Sequence, residues 1–355
     1  NYQISQFDEP LAENGWLEVE IIEKDKEPYI KKIGIERLHM EEDAGKLVHS
    51  GSDRLAGSKY SLVDYNRAGI ALCEIVSKPD IRSGKEASEY ASEIRRTVRY
   101  LGVSDGNMQE GSLRCDVNIS VRKGPNAPFG TKVEIKNMNS FSAIQKACDY
   151  EIARQIEVYE NGGKIFQETR LWDEAKQLTK SMRLKEGSSD YRYFPDPDLG
   201  PIEITKAQQE IWFKELPELP SKKRNKYVSQ FGLSAYDARV ISDEISMANF
   251  FEETVANGAE AKLASNWVTS DIVGYLKSNK LSFSELKLSP ENLAEMINMI
   301  SKNIISGKIA KEILPELIQK NISPKKLVEE KGLAMISDSS SILPIIDELI
   351  NEHPN

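Results

Sequence analysis

Apolar and polar residues alternate along CDVNISV. Cys115, Val117, Ile119 and Val121 fall on one parity and Asp116, Asn118 and Ser120 on the other, the period-two pattern of a half-buried strand. TKVEIKN repeats it, with Val133 and Ile135 inward and Lys132, Glu134 and Lys136 outward. Between them, RKGPNAPFG is rich in Gly, Pro and Asn and predicts a loop joining antiparallel strands. KKIGIERLHM predicts a strand with Ile33 and Ile35 on one parity, and ALCEIVS another, with Leu72, Glu74 and Val76 sharing a face. Two helices are embedded among these strands. SGKEASEYASEIRRTVRYLG sets Ala87, Tyr90, Ala91, Ile94, Val98 and Leu101 at helical spacing, with Gly102 as the C-terminal cap. From about Ser140, the residues Ile144, Cys148, Ile152 and Ile156 recur at four-residue spacing until Gly162-Gly163.

After about Pro217 the pattern becomes helical throughout. Pro220, Ser234, Ser289-Pro290 and Ser323-Pro324 punctuate helix starts, and Gly232, Gly258 and Gly332 mark ends. The fold class expected is α+β: an antiparallel-sheet domain over residues 1–215, an all-helical domain over 216–331, and the start of a helical tail domain over 332–355, cut short after SILPIIDELI. A chain of 355 residues has room for two domains and part of a third. It begins at Asn1 without Met and is read as a fragment or as the ordered part of a longer protein.

Composition narrows the function classes. Hydrophobic content of 39% and charged content of 29% fit a soluble globular protein, and no apolar run approaches the ~20 residues of a membrane-spanning helix. The cysteines Cys73, Cys115 and Cys148 form no zinc pattern and favour a reducing compartment. His39, His49 and His353 are too scattered for a histidine-rich metal site. At a net charge of −9, any contact with RNA must come from local basic patches.

The candidate chemistry lies mostly in carboxylates. RLHMEEDAGK sets Glu41, Glu42 and Asp43 side by side. Three neighbouring carboxylates sit together at low cost only if they are solvated, paired with cations, or gathered round a metal. Glu74, flanked by Cys73, Ile75 and Val76, is either one half of a buried ion pair or a metal ligand. The strand pair shows Asp116, Asn118, Glu134 and Lys136 on one face, approached by Glu110 and Arg114. That face is either a wetted sheet surface or one that holds Mg²⁺ through oxygens and phosphate through Lys and Arg. GSSDYRYFPDPDLGP, with Asp190, Arg192, Asp196 and Asp198, reads as surface turns or a closing loop, and KKRNK as a solvated basic face or an RNA contact. No GxxxxGK[ST] or GxSxG motif is present.

Taken together, RLHMEEDAGK, SLVDYNRAG, EGSLRCDVNISVR, FGTKVEIKNMNSF, QETRLWDE and SSDYRYFPDPDL resemble successive motifs of the B subunits of glutamine-dependent aspartyl/glutamyl-tRNA amidotransferases. PELP, YDARV, NWV and ISGKIAKEIL match the same family in order, so the resemblance covers essentially the whole chain. It implies a catalytic domain called the cradle, distantly like glutamine synthetase. It implies a subunit that uses ATP to phosphorylate the side-chain carboxylate of Glu-tRNA(Gln) or Asp-tRNA(Asn), which ammonia from an A subunit then amidates. The expected cofactors are ATP and Mg²⁺. The expected partners are the A and C subunits and misacylated tRNA, without a membrane, in the cytoplasm or an organellar matrix or stroma.

The resemblance also assigns residues. Glu42 and Glu74 correspond to acids that bind Mg²⁺; Glu110, Arg114, Asp116, Glu134 and Lys136 lie in matching motifs as catalytic candidates, Arg114 and Lys136 among them for the nucleotide phosphates. Relatives begin with a longer segment whose Gly-Leu-Glu-x-His stretch completes the metal site, often with a Cys-x-x-Cys zinc segment; neither is in this chain. HSGSDRLAGSKYS is a longer insert than in many relatives. The competing expectation is a tRNA-binding and assembly module whose acids are structural. A stand-alone ligase for a small carboxylic acid is disfavoured by the long helical half.

Overall fold

In the computed structural model, residues 4–49, 59–184 and 194–334 are described. The chain opens with strands β1 (Ala12–Ile21) and β2 (Tyr29–Glu42), a short pair β3 (Lys46–His49) and β4 (Ser61–Asp64), and β5 (Ala71–Ser77). Helix α1 (Gly84–Tyr100) follows, then β6 (Val117–Ile119), β7 (Val133–Lys136), α2 (Phe141–Glu160), β8 (Glu168–Asp173) and β9 (Leu178–Leu184). Among the described residues the strands form three sheets: β1-β2-β5, β3-β4 and β6-β7-β8-β9. Every pair is antiparallel except β7 with β8. A wholly antiparallel sheet was the expectation; α2 lies between β7 and β8 in the chain, and such a crossover is what lets two strands run parallel.

The alternation of CDVNISV and TKVEIKN survives in the structure: Val133 and Ile135 are fully buried and Ile119 nearly so. Ile119 and Ile135 pack with Ala87 and Ala91 of α1 and with Ala143, Ile144, Ala147 and Cys148 of α2. A smaller core forms on the first sheet from Val19, Ile21 and Ile33. Helix α2 begins where Ser140 accepts the Ala143 amide on its hydroxyl, a capping bond that meets an otherwise orphaned donor. Its buried stripe departs from four-residue spacing. Glu151 and Gln155 are buried and Ile156 is exposed, because i+3 and i+4 steps keep a 3.6-residue helix facing one way. The buried Glu151 is met by Arg154, Gln155 and Thr179.

The helical part comprises α3 (Lys206–Glu215), α4 (Pro220–Ser229), α5 (Ala235–Ile241), α6 (Ile245–Ala256), α7 (Ala261–Asn266), α8 (Val273–Asn279), α9 (Pro290–Ser301), α10 (Gly307–Lys320) and α11 (Pro324–Lys331). A π-helical stretch, Trp267–Ile272, joins α7 to α8. Ser234, Ser289 and Ser323 each cap the helix they precede, and Gly332 ends α11 in the left-handed conformation. One core, including Tyr227, Phe251, Ile272, Leu293 and Leu317, unites α4 to α11, whereas α3 buries no residue. By internal contact the chain divides into Asn1–Arg95 with Ser104–Lys214, and Arg96–Val103 with Glu215–Asn355. The expected tail helix SILPIIDELI, the insert around 50–58, and Asp190 and Arg192 lie outside the described residues. No helix among those described is long and apolar enough to cross a membrane.

Candidate functional site

The C-terminal end of β2 is flanked on both edges. Residues before β1 lie along one edge: Gln6 donates its amide to Met40 O and accepts the Met40 amide on its side chain, and Ser5 bridges to Glu41. On the other edge β5 pairs antiparallel, with His39 opposite Glu74, Met40 opposite Cys73, Glu41 opposite Leu72 and Glu42 opposite Ala71. Directly opposed residues share a face, and neighbours along a strand do not. His39, Glu41 and Glu74 therefore converge on one face, and Glu42 points to the other.

The convergence is close. His39 Nε2 lies 3.3 Å from a Glu74 oxygen and 4.0 Å from a Glu41 oxygen, and one donor atom from each residue falls within 4.8 Å of the others. The His39 ring is fully buried, with Phe7 edge-on at 5.8 Å. Burial pushes the Glu41 carboxyl above its usual range, and the Glu74 charge pushes the same way against the pull of His39.

Asp43, the last of the three neighbouring acids, does something different. It is buried and accepts from Arg67 Nε at 3.2 Å, from Arg114 and from the Ala44 amide. Arg67 also donates to the carbonyl oxygens of Glu110 and Gly111, each at 2.8 Å. The acidic turn is thereby tied to the segment leading into β6. Two residues beyond Arg114, Asp116 accepts from Lys136, which also pairs with Glu134 at 3.4 Å. Glu134 in turn accepts from the Thr169 hydroxyl of β8 at 2.8 Å. Burial lowers the Lys136 pKa, but the bonds to Asp116 and Glu134 outweigh it, and the net shift is upward. The polar face of β6 and β7 is a row of alternating acids and bases, ordered by mutual ion pairs.

Several expectations change. The two acids assigned to a metal, Glu42 and Glu74, are not brought together, because the β2–β5 register puts them on opposite faces. Glu74 is not half of a buried pair: its side chain is 49% exposed. Lys136 pairs with Asp116 and Glu134 and Arg114 with Asp43, so both cations are already engaged by acids. Glu110 enters through its carbonyl, and its side chain is exposed. KKRNK is not a solvated face. Lys223 and Arg224 are buried, and Lys223 and Lys226 reach Glu252 at 2.8 and 2.9 Å because α4 packs that side inward. The residues missed are His39, Arg67 and Thr169. The shared parity of His39 and Glu41 in RLHMEE was the one available signal; Arg67 and Thr169 meet their partners only through the fold.

The chain is similar to proteins of known family along its whole length. A profile described as the GatB/GatE catalytic domain matches residues 1–210, which contain every group of the site, and one described as the GatB domain matches 249–355. The B subunit of the aspartyl/glutamyl-tRNA(Asn/Gln) amidotransferase of Prochlorococcus marinus (strain AS9601) is 99% identical over 355 residues, all of this chain and 72% of that protein. The B subunits of the same name from Parasynechococcus marenigrum (strain WH8102) and Synechococcus sp. (strain WH7803) are 71% and 70% identical over 355 residues, all of this chain and 72% of each.

Proposed function

The chain belongs to the family of B subunits of the aspartyl/glutamyl-tRNA(Asn/Gln) amidotransferases, and from that premise we propose that its sheet domain activates the side-chain carboxylate of Glu-tRNA(Gln), Asp-tRNA(Asn) or both. A carboxylate oxygen of the aminoacyl group attacks the γ-phosphorus of ATP, ADP leaves, and an acyl phosphate results. Ammonia, supplied from glutamine by a partner A subunit, forms the carbon–nitrogen bond as phosphate departs. No nucleophile from this chain is required, which agrees with the lack of any motif for one. The same activation by acyl phosphate is the basis for relating the domain to glutamine synthetase.

The residues suit these roles. His39, Glu41 and Glu74 present a nitrogen and two carboxylate donors on one face, a set able to hold a divalent ion. Such an ion, Mg²⁺ in the usual case, would neutralise charge on the transferring phosphoryl group. Arg114 and Lys136 supply fixed positive charge for the nucleotide phosphates. Asp43, Asp116 and Glu134 hold those cations in place before substrate arrives, which limits the reorganisation left to the reaction. The helical unit, an A and a C subunit, and misacylated tRNA complete the assembly, and the cytoplasm is its compartment.

The observation that supports this reading most is the family match over residues 1–210, because it contains the whole acid, imidazole and cation arrangement. The test is amidation by the full-length protein assembled with its partner subunits. Glu74→Ala should cut tRNA-dependent ATP cleavage on the order of 100-fold, with tRNA binding unchanged. Undiminished ATP cleavage would favour the alternative, a tRNA-binding and assembly module whose acids are structural.

A further inference from the structure

Arg67 commits all three of its guanidinium nitrogens to partners distant in the chain. Nε donates to Asp43 Oδ2 at 3.2 Å, and the two Nη atoms donate to the carbonyl oxygens of Glu110 and Gly111 at 2.8 Å each. Its own backbone is fixed to the same acid. Arg67 sits in a turn closed by the Ala68 amide on Tyr65 O and the Ile70 amide on Arg67 O. The Asp43 amide bonds to Ile70 O at 2.9 Å, and the Gly69 amide to Asp43 O at 3.0 Å. The guanidinium thus starts from a fixed base, and its planar fork reaches three acceptors at once.

The targets of that fork all bear on Arg114. Asp43 Oδ2, which is buried, accepts from Arg67 and Arg114 alike. Glu110 and Gly111 lie in the segment that carries Arg114, and that segment turns on bonds from the Ser112 and Leu113 amides to Asn107 O. Gly111 makes the close approach possible. Its φ of +77° suits a residue without a side chain, and a Cβ there would lie 2.8 Å from Arg67 Nη1. One side chain therefore holds both the counter-ion of Arg114 and the backbone that bears it. Asp43 balances only one of the two guanidinium charges, so the three groups together stay positive. Arg67 has its nitrogens spent, and Arg114, 50% exposed, is the member placed to meet an anion.

We propose that Arg67 is a positioning residue that sets the place of Arg114. The proposal rests on the functional reading above for the nucleotide phosphate that Arg114 then meets. Without Arg67, the attraction between Asp43 and Arg114 remains, but the two carbonyl anchors are lost and the pair moves with its loop. A cation that must be re-ordered for each phosphate contributes less than one already in place. Lysine is no substitute at this position. It keeps the charge, but a single ammonium on a flexible stem does not reproduce three bonds in fixed directions.

The test uses the full-length subunit assembled with its partners, and a non-hydrolysable ATP analogue with Mg²⁺, with binding measured by calorimetry. Arg114→Ala and Arg67→Ala should each weaken binding about tenfold. The double variant should lose no more than about twofold beyond Arg114→Ala, because both changes remove one contact. Arg67→Lys should bind as poorly as Arg67→Ala, and its Ser112 and Leu113 amides should exchange hydrogen at least about tenfold faster than in the wild type. If Arg67→Ala fails to fold, Arg67→Lys with Arg114→Ala completes the same cycle. Losses that multiply in the double variant overturn the proposal, because Arg67 would then act on the nucleotide by itself. Wild-type binding in Arg67→Lys overturns it too, as does unchanged exchange at Ser112 and Leu113. Wild-type binding in Arg114→Ala, with exchange accelerated in Arg67→Lys, supports the positioning and refutes only the phosphate role that the functional reading gives Arg114.

Discussion

Glu151→Ala should destabilise the sheet domain by about 3 kcal/mol. The carboxylate is fully buried on α2. It accepts from Arg154 at 2.9 and 2.6 Å, from Gln155 at 2.9 Å and from Thr179 at 3.1 Å, with Arg170 at 3.6 Å. Removing it leaves two guanidinium groups with Glu168 as their shared acid, at 2.6 Å from Arg170 and 3.8 Å from Arg154. Breaking one side of a buried ion pair costs about 3–5 kcal/mol. The low end applies because the Arg154 and Arg170 side chains retain 20% and 13% exposure and water recovers part of the loss. In a unit of this size that corresponds to a fall in Tm of about 6–12 °C. Urea unfolding is the assay, followed by hydrogen exchange at β8 amides so that the two units are read separately. Glu151→Gln, which keeps an acceptor and the shape, should lose only about 1–2 kcal/mol. A Glu151→Ala protein that loses less than about 1 kcal/mol would refute the view that this network holds α2 to the sheet.

Burial raises the Glu168 carboxyl, but bonds from Ser181 and Arg170 outweigh it and hold its pKa below the usual 4.5. A lowered folded pKa adds stability above pH 4.5 that disappears as pH falls through the folded value; acid unfolding of Glu168→Gln should therefore be less steep below pH 4.5, and an unchanged profile would count against it. A Cβ at Gly84 would run into the Gln145 carbonyl oxygen and the Asp149 carboxylate, so Gly84→Ala should cost about 1–3 kcal/mol by forcing α1 off α2, whereas an unshifted urea midpoint would show the contact to be looser. Burial pushes the Cys115 and Cys148 thiols up to about 12, while Cys73 is exposed. Iodoacetamide at pH 8 should alkylate Cys73 first in the native protein and the other two only on unfolding, and equal native rates would contradict that.

Local chemistry alone determined much of this protein. The alternation around Ile119 and Ile135, the turn residues between those strands, the caps at Ser140, Ser234, Ser289 and Ser323, and the stop at Gly332 act within a few residues of chain. Period and capping can therefore be read without knowing what lies across the sheet. The resemblance likewise needed only the order of motifs, and the family follows from it. The site needed more. Glu41, Glu42 and Asp43 are equivalent as letters, yet one faces His39 and Glu74, one the opposite side of the sheet, and one two arginines. That separation comes from the register of β2 against β5 and from the reach of Arg67 and Arg114. The same holds for KKRNK, whose charges turn inward because Glu252 on α6 is there to meet them, and for Glu151, buried because Arg154 and Thr179 satisfy it. A charge is buried only where distant partners offset its loss of water, and only the tertiary structure names those partners.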